Sequence, residues 1–522
     1  MTAPLPSPTA RGKALQREVS ALGLTASCEP ADLWAMSRDC WPRSLLWTKA
    51  GIAPHPPDLV AWPNDVEQVA TLVRFAAERQ VAVVPFGAGS GVCGGTVPVR
   101  GGIALDLKRL TQPLQIDLPA RVVEVGAGMN GQRLEELLGD AGATLGHFPS
   151  SIYCSSVGGW LAARSAGQFS SRYGKIEDMV LSIEAVDGTG AVLRTLDGPS
   201  AGSDLTQLIV GCEGTLAVIT SARLRIWPKP KARWLRGVKL PSVQDGMRAM
   251  KAVMRSGLRP AVARLYDPLD TLLAGKGGAA RPVPQPLKWV VEGAQAEVLR
   301  VALRAPALLN RLVDALPKSS LLILGFEGDD EEDCALEGEA ALALCQDARG
   351  DDLGPAPGER WLANRYKISY RQSPLFSAGA FADTMEVATT WDRLDSLYKS
   401  VRRAVSGLAF VLAHFSHVYL EGCSIYFTFI GLAGAPADEV ARGSREDAEL
   451  DLEEAESRYD ACWKAALTAV ADEGATLSHH HGIGLAKQVF LPREHGEGMR
   501  QLRALKKAFD PHGILNPGKL LL

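Results

Sequence analysis

VAVVPFGAGSGVCGG, residues 81–95, is the stretch from which the fold of this chain can be inferred. Val81–Val84 predict a buried strand that ends at Pro85. Five glycines follow within residues 87–95. Because glycine adopts positive φ without strain and leaves its backbone bare, this loop can turn a row of N–H groups toward an anion such as a nucleotide pyrophosphate. Taken alone, an ordinary glycine-rich surface turn explains the loop equally well.

The loop fits neither of two common phosphate-binding motifs. No Gly-Lys-Ser/Thr follows it, which excludes a Walker A loop. The spacing Gly87-x-Gly89-x-Gly91 does not open a long amphipathic helix, as a Rossmann fingerprint requires. The sequence that follows the loop instead predicts strands at 103–107 and 122–125 and a helix at 130–139.

These segments resemble the FAD-binding domain of the vanillyl-alcohol oxidase family, also called the PCMH-type domain. The resemblance is carried by LVAWP at 59–63, by PFGAGSG at 85–91 and by VEVGAG at 123–128. It implies an α+β fold class, with a PCMH-type FAD-binding domain of two α/β subdomains and an α+β cap domain that contains an antiparallel sheet.

Further segments fit the same cofactor. They are GHFPSS with SSVGGW at 146–160, RYGKIEDMV at 172–180 and GCEGTLAVIT at 211–220. Each is weak alone, but together with the glycine loop, in this order, they indicate FAD. The predicted cofactor-binding residues are Pro85, Phe86, Gly87, Ala88, Gly89, Ser90, Gly91, Pro149, Ser150, Ser155, Ser156, Gly158, Gly159, Gly167, Tyr173, Gly174, Glu213, Gly214 and Ile219.

Some relatives attach FAD covalently through a histidine in the first loop. This loop contains no histidine, and Ser90 stands near where one would fall. We therefore predict non-covalent FAD.

Composition narrows the class of protein. A net charge of −3 argues against a nucleic-acid binder, and nine scattered cysteines without a CxxC pair indicate reduced thiols. No signal peptide and no run of about 18 apolar residues is present, so we expect a cytoplasmic protein, with a peripheral position at the inner membrane face left open.

The chain divides into four predicted parts. They are an N-terminal helical segment (1–55), the FAD-binding domain (56–232), a cap or substrate domain (233–445) and a C-terminal helical segment that returns to the FAD domain (446–522). Within the cap we predict a helix at 243–256, a helical stretch at 294–316 interrupted by Pro306, and strands at 321–326, 409–413 and 424–429.

The catalytic candidates lie toward the C-terminus. His479, His480 and His481 are consecutive, so a shared metal ion is disfavoured because consecutive side chains diverge on most backbones. A polar turn is the plain alternative, and proton transfer near neutral pH is the interpretation we favour. Tyr426 is predicted to share a strand face with Ser424 and Thr428, although a buried core tyrosine is equally compatible.

Arg264 and Arg371 are isolated cations, each within a mostly apolar stretch of sequence that resembles a strand. A solvated arginine is the commoner case, yet a guanidinium in a cleft is suited to clamp a carboxylate or phosphate.

Together these features resemble the alkyldihydroxyacetonephosphate synthase family. In that family an Arg-Leu strand, a Tyr-x-Arg segment, an Ala-Cys-Ile-Tyr-Phe-Tyr-Phe strand and a Ser-His-His-His-Gly loop form the active site. The resemblance implies Tyr426, His479, His480, His481, Arg371 and Arg264 as catalytic residues. It also implies exchange of the acyl group of acyl-dihydroxyacetonephosphate for a fatty alcohol through a flavin N5 adduct, with Tyr426 handling the substrate proton.

A sister group, the FAD-linked D-2-hydroxyacid dehydrogenases, shares the flavin motifs and the tail pattern FDPHGILNPGK at 509–519. The metal-binding motif of that group is His-x-Gly-Asp-Gly-Asn-x-His together with Glu-His-Gly. Here Tyr426 stands where the second histidine falls and His480 where the glutamate falls, so no catalytic metal is predicted. Because HFSH at 414–417 departs from the synthase pattern, a metal-independent FAD oxidoreductase of a hydroxy acid or other alcohol stays an alternative. A flavin-binding protein without turnover is a third.

Residues 287–316 carry Lys288, Arg300, Arg304 and Arg311 among many apolar residues. An interfacial helix that feeds a lipid substrate and an ordinary cap-domain helix both fit this pattern. The expected substrate is a small molecule or a lipid, and a homodimer is left open.

Overall fold

The computed structural model describes residues 5–198, 202–268, 271, 303–314, 319–367, 380–432 and 452–522. The chain forms two compact units. The first comprises Met1–Gly167, Tyr173–Lys229 and Ser478–Leu522, and the second comprises Gln168–Arg172 and Pro230–Leu477.

The first unit contains a four-stranded sheet in the order β1-β2-β4-β3, with β1 Thr25–Ser27, β2 Leu59–Trp62, β3 Val83–Phe86 and β4 Ile103–Asp106. Strands β2 and β3 each pair in parallel with β4, whereas β1 pairs antiparallel with β2. The predicted helical N-terminal segment therefore also contributes a strand. With three residues, β1 is too short for its periodicity to be recognised.

The predicted end of the first strand at Pro85 is wrong. Pro85 lies inside β3 and pairs with Leu105 of β4. Proline is tolerated because β3 is an edge strand of the sheet. On the outer side of β3, Val83 forms a bridge with Leu515.

A five-stranded antiparallel sheet completes the first unit, in the order β5-β6-β10-β8-β9. Its strands are β5 Leu114–Asp117, β6 Val122–Gly126, β8 Val180–Asp187, β9 Val192–Arg194 and β10 Ala217–Arg225, while β7 Ala143–Thr144 and β11 Trp227–Pro228 form a separate pair. The helices span Ala10–Ala21, Pro30–Ala35, Pro42–Lys49, Val66–Arg79, Gly131–Asp140, Val157–Ala162, Ile176–Met179, Leu205–Ile209, Gly484–Lys487, Leu491–His495 and Gly498–Phe509.

The core of this unit forms where the helix Val66–Arg79 packs on the first sheet. Asp65 caps its first turn by accepting the Gln68 N–H, and Gln80 ends it in the left-handed conformation. Its buried face, which includes Leu72 and Val73, belongs to one hydrophobic cluster with the strand residues. Burial of each such side chain stabilises the fold by about 1.5–3 kcal/mol.

The second unit is built on a seven-stranded antiparallel sheet in the order β15-β12-β14-β13-β17-β18-β16. The strands are β12 Ala232–Leu240, β13 Val262–Tyr266, β14 Ser320–Gly328, β15 Asp351–Asp352, β16 Ala380–Thr390, β17 Phe410–Val418 and β18 Gly422–Leu432. The helices are Val243–Arg255, Pro306–Asp314, Glu331–Asp347, Ala356–Asn364, Leu394–Val405 and Leu452–Asp472. Strands β17 and β18 are longer than the strands predicted at 409–413 and 424–429.

The predicted interruption lies just before Pro306: residue 303 is helical, residues 304 and 305 are not, and Pro306 begins the helix Pro306–Asp314. Proline fits the first helical position because the N–H that it lacks would have no partner there. Of the stretch 287–316, residues 287–302 and 315–316 lie outside the described residues. Across the described ranges, no helix is both long enough and apolar enough to cross a membrane.

Candidate functional site

The glycine loop follows β3 directly and packs against the second predicted cofactor segment. A Cβ atom on Gly87 would lie 2.4 Å from Ser156 Oγ. Gly89 has φ +66°, and a Cβ there would lie 2.6 Å from Cζ of Phe86. Side chains are therefore excluded at both positions, and the loop presents bare main chain. Ala88 and Ser90 are half-buried beside them, and Gly91 is exposed.

The second segment forms a tight turn next to this loop. Ser156 caps the helix Val157–Ala162 through a 3.4 Å bond from Gly159 N–H. Gly158 donates its N–H to Ala127 O at 2.8 Å. Ser155 Oγ, by contrast, accepts from Trp160 Nε1 at 2.9 Å, so that hydroxyl has a structural partner inside the protein.

Gly167 packs against the segment that leads into Pro149 and Ser150. A Cβ on Gly167 would lie 2.5 Å from the backbone nitrogen of Phe148, so the two chain segments touch main chain to main chain. Pro149 is buried and Ser150 is exposed.

Tyr173 and Gly174 occupy well-packed positions in the first unit. The Tyr173 ring lies under Gly146, where an added Cβ would be 2.5 Å from Cγ, and it meets the Trp227 ring at 5.2 Å. Gly174 has φ +85° beside Asp178. Packing thus fixes both residues, and their contact with FAD stays a prediction.

Glu213 has a role that the sequence analysis missed. Its carboxylate accepts the N–H groups of Ile483 at 2.6 Å and Gly484 at 2.9 Å, and so fixes the loop that carries the histidines. Burial raises the pKa of Glu213, while the two N–H groups and the nearby Lys487 and Lys519 oppose that rise. A negative charge among buried backbone donors is the arrangement expected of a structural anchor.

Gly214 and Ile219 complete the fourth segment. Gly214 has φ +71° and lies against Pro85, where a Cβ would be 2.9 Å from Cγ. Ile219 is buried in β10, next to a register shift. The fourth segment therefore packs directly on the strand that precedes the glycine loop.

We predicted that the side chains of the three consecutive histidines diverge, but neighbouring rings contact each other. The ring centroids of His479 and His480 are 5.3 Å apart, and those of His480 and His481 are 4.7 Å apart. The Nδ1 atoms of His479 and His480 lie at 3.0 Å, so one nitrogen donates a proton and the other accepts it. All three rings are half-buried.

His147, in the second segment, also escaped the sequence analysis. It is fully buried, and Nε2 lies 3.3 Å from Ser165 Oγ. Burial, with a smaller contribution from the charge of His480, lowers the pKa of His147 to about 3. The ring is therefore neutral at physiological pH.

The glycine cradle and its surroundings fit a bound cofactor with polar groups. The buried polar atoms of the first unit that have no hydrogen-bond partner among the described residues include Thr96 Oγ1, His147 Nδ1 and Asn516 Oδ1. Buried polar atoms are normally satisfied, so unpaired atoms indicate a missing partner such as a ligand or a water.

In the second unit, a row of side chains crosses the large sheet. Tyr426 of β18 pairs with Glu386 of β16 on one side and with His414 of β17 on the other. Directly paired residues point to the same face. The His414 ring stacks on Tyr426 at 4.5 Å and 19°, and its Nε2 lies 2.7 Å from Arg264 Nη2.

Arg264 and Tyr426, which the sequence analysis singled out separately, thus belong to one cluster. Arg264 Nε and Ser424 Oγ are buried and lack a hydrogen-bond partner within the described ranges. A guanidinium with a free donor is suited to bind a carboxylate or phosphate. Arg371 lies outside the described residues.

His417 is the residue of this cluster that the sequence analysis noted only as a departure from a family pattern. Its Nε2 lies 2.8 Å from the Tyr426 hydroxyl. Burial, and secondly the charge of Glu386, raise the pKa of Tyr426 well above its ordinary value, although Arg264 opposes the shift. Tyr426 is therefore a phenol at neutral pH, with an imidazole placed to share its proton.

Comparisons with known proteins agree with this architecture. A family model described as "FAD binding domain" matches residues 57–196, and one described as "FAD linked oxidases, C-terminal domain" matches residues 229–520. The chain is 30% identical over 492 residues to an alkyldihydroxyacetonephosphate synthase of Trypanosoma brucei brucei, with 92% of this chain and 75% of the relative covered. It is 26% identical to a D-lactate dehydrogenase of Archaeoglobus fulgidus, over 89% of this chain and 91% of the relative.

A solved structure of an alkyldihydroxyacetonephosphate synthase superimposes with a TM-score of 0.75 at 25% identity, covering 98% of this chain and 85% of the other. The predicted fold class and the predicted FAD cofactor are confirmed. The chain is an FAD-dependent enzyme that belongs to the family of FAD-linked oxidases. Within that family, it is similar to the alkyldihydroxyacetonephosphate synthases over most of its length.

Proposed function

We propose that this enzyme exchanges the acyl group of acyl-dihydroxyacetonephosphate for a fatty alcohol, the reaction of ether-lipid synthesis. The observation that carries the proposal is the cluster of Tyr426, His414 and Arg264 on the large sheet, which combines a proton-transfer group with a cation that can bind an anion. The named relatives support it, because they cover nine-tenths of the chain.

FAD would be held by the glycine loop 87–91, by Ser156 and by Gly158, where the main chain is bare and closely packed. The non-covalent state is part of this proposal. When bound, the flavin would supply the ring nitrogen that acts as nucleophile in this type of exchange. Precipitation under denaturing conditions should release the yellow colour into the supernatant, and colour retained in the pellet would contradict non-covalent binding.

The side chains of this chain would perform three tasks. Arg264, with its unpaired Nε, would bind the substrate phosphate. Tyr426, a phenol at neutral pH, would exchange a proton with the substrate, and His417 at 2.8 Å would hold the proton that Tyr426 gives up. The histidines 479–481 would protonate and deprotonate the leaving and entering oxygens.

A second candidate, oxidation of a D-2-hydroxy acid, is favoured by one observation. The contact of His417 with the Tyr426 hydroxyl forms an acid–base pair that could remove a hydroxyl proton, while Arg264 could bind a carboxylate in place of a phosphate. A relative named as a D-lactate dehydrogenase supports this alternative.

Two assays on the purified holoenzyme separate the candidates. Incorporation of a labelled fatty alcohol into acyl-dihydroxyacetonephosphate is expected for the synthase. Anaerobic bleaching of the flavin by D-2-hydroxy acids, without such incorporation, would replace it with the oxidoreductase. We expect dialysis against a chelator to leave the activity unchanged, since we propose no catalytic metal, and a loss restored by a divalent cation would contradict that.

A further inference from the structure

His417 occupies a strained position in its strand. The pairing of β17 with β18 slips between Ser416 and Val418, so His417 is an extra residue with φ +51°. A residue other than glycine in this region is uncommon and persists where its surroundings hold it. In a regular strand His417 would face away from Ser416, but the bulge turns its ring onto the face that carries Tyr426.

Both ring nitrogens of His417 take part in one hydrogen-bonded chain. Nε2 lies 2.8 Å from the Tyr426 hydroxyl, and Nδ1 lies 2.7 Å from Ser170 Oγ. Ser170 Oγ in turn lies 2.9 Å from the hydroxyl of Tyr419. Four groups that can each donate and accept a proton are therefore connected in series.

Tyr426 and Tyr419, at the two ends of the hydrogen-bonded series, are both partly exposed. His417 and Ser170, which lie between them, are buried. A proton given up by Tyr426 can therefore pass through buried groups to a second hydroxyl that water can reach.

The charges of Glu386 and Arg264 influence the pKa of Tyr426, and so do the titratable groups of Cys423 and Tyr419. The His414 ring stacks on Tyr426, but its Nε2 bonds to Arg264, whereas the His417 nitrogen contacts the hydroxyl.

We propose that His417 positions the Tyr426 hydroxyl and relays its proton through Ser170 to Tyr419. The inference deepens the proposed function, on which it rests for the identity of the substrate proton. When Tyr426 takes a proton from the substrate, its own hydroxyl proton passes to Nε2 of His417 and the Nδ1 proton passes to Ser170. The Ser170 proton passes to Tyr419, which releases its own to water. Each group ends with the number of protons that it had, and the reverse sequence returns them.

The segment that carries Ser170 offers a matched control. Ser171 is its neighbour and accepts the Val418 N–H at 3.1 Å, so it supports the same bulge without a place in the relay. If Ser170 only packs against β17, Ser170→Ala and Ser171→Ala should have similar effects. If it conducts a proton, Ser170→Ala should slow the reaction much more than Ser171→Ala.

The kinetic test uses the holoenzyme and four variants. We expect kcat to fall about 100-fold in His417→Gln and about 10-fold in Ser170→Ala and Tyr419→Phe, and by less than about 3-fold in Ser171→Ala, which weakens the bulge but leaves the relay groups in place. The pH profile of kcat should change shape in the first three variants, with flavin content and spectrum unaltered. An equal loss in Ser171→Ala, or unchanged kcat in both Ser170→Ala and Tyr419→Phe, would overturn the relay.

A second measurement does not depend on the substrate. In protein labelled with ¹⁵N-histidine, the His417 signals can be assigned from their loss in His417→Gln. Tyr426→Phe and Ser170→Ala should each shift the signals of both ring nitrogens of His417. The reason is that the hydrogen bond at one ring nitrogen fixes the tautomer, and the tautomer decides whether the other nitrogen donates or accepts. If the parent enzyme fails to exchange fatty alcohol, the proposed function fails, yet these spectra still decide the relay. Signals unmoved by both substitutions would refute it.

Discussion

Two regions of this protein, one around the glycine loop in the first unit and one around Tyr426 in the second, organise their polar groups in different ways. Around the glycine loop, buried side chains bind main chain: Glu213 accepts two backbone N–H groups, and Lys519 donates to the carbonyl of Val97 at 2.7 Å. Around Tyr426, side chains contact side chains, as in the bonds between Tyr426 and His417 and between His417 and Ser170.

This difference indicates which changes each unit can tolerate. A scaffold of bare glycine backbone fails when a carbon atom is added, because the closely packed segments leave no room. A network of side chains fails when a single polar atom is lost, because its partner is then buried without a hydrogen bond. Variants that add a carbon to the first unit or remove an atom from the second therefore test the comparison directly.

Tyr426→Phe should give the largest effect. It removes one oxygen atom from the cluster and with it the acid–base group, so we expect kcat to fall by about 1000-fold. FAD binding should persist, since the change lies in the second unit. Turnover of labelled fatty alcohol and flavin content of the purified protein measure the two quantities.

The matched control for Tyr426→Phe is Tyr153→Phe, since the side chain of Tyr153 is 53% exposed. It should leave kcat unchanged. A Tyr426→Phe enzyme with the turnover of its parent would remove Tyr426 from the chemistry and reduce the cluster to packing.

Gly87→Ala should give the second largest effect. The added methyl would lie 2.4 Å from Ser156 Oγ, so either the loop or the serine must move. Overpacking of this kind costs about 1–3 kcal/mol, which corresponds to an FAD dissociation constant raised roughly 5–150-fold. Fluorescence titration of the apoprotein with FAD measures the change.

A second substitution makes this prediction sharper. Ser156 Cβ would be 3.7 Å from the new methyl, an ordinary contact, so adding Ser156→Ala to Gly87→Ala should restore part of the affinity. Gly407→Ala is the control, since nothing lies within 4 Å of a Cβ at that position. Failure of Ser156→Ala to relieve the defect would show that the loop is not limited by this contact.

The same difference explains what the sequence could predict. The glycine loop was recognised because its chemistry is local: adjacent glycines and a preceding strand are visible in fifteen residues, 81–95. The register of β18 likewise followed from alternation, which placed Ser424 and Thr428 on the face of Tyr426. Pro85 was misjudged because whether a strand tolerates proline depends on its place in the sheet.

Long-range pairing escaped prediction for a physical reason. Glu213 and Ile483 are 270 positions apart, and no local pattern links a glutamate between glycines to a distant loop. His417 reaches Tyr426 only because a bulge shifts the register, and alternation alone places its ring on the opposite face. The signal that could have found it was the pair of histidines, His414 and His417, opposite the Tyr426 strand.

Glu213→Gln should give a smaller effect than the glycine substitution. The amide keeps one acceptor but turns an NH₂ group toward a backbone N–H, so the loop of His479–His481 loses one of its two anchoring bonds. Loss of such a bond costs about 1–3 kcal/mol locally, and we expect roughly a 10-fold fall in kcat with little change in FAD content. Glu136→Gln, in an exposed ion pair with Arg133, is the control and should have no effect. Equal kcat in both variants would contradict the anchoring role.

Asp39→Asn should give the smallest effect, and its sign depends on pH. Asp39 Oδ1 accepts the Trp41 N–H at 3.0 Å, while Oδ2 is buried without a hydrogen-bond partner among the described residues. Burial raises the pKa of Asp39 from 3.8 to about 7, against the opposing influence of three backbone N–H groups and Lys519. Because the folded pKa lies above the unfolded one, the contribution of this group is fully present below about pH 4 and is lost as the pH rises through 7.

Asparagine cannot ionise, so the variant does not lose stability as the pH rises through 7. It also lacks the attraction between Asp39 and Lys519; burial lowers the pKa of Lys519 to about 8. We therefore expect Asp39→Asn to gain on the order of 1 kcal/mol in unfolding free energy relative to the parent between pH 4 and pH 8. Lys519→Met should do the reverse, since an unpaired Asp39 carboxylate is costlier still to ionise, and the fall in stability with pH should steepen. Thermal unfolding of the three proteins across this range measures both slopes. If the unfolding free energies of the parent and of Asp39→Asn change with pH in parallel, Asp39 is ionised and paired throughout this range. The first unit would then stabilise the Asp39 charge as well as it stabilises the carboxylate of Glu213.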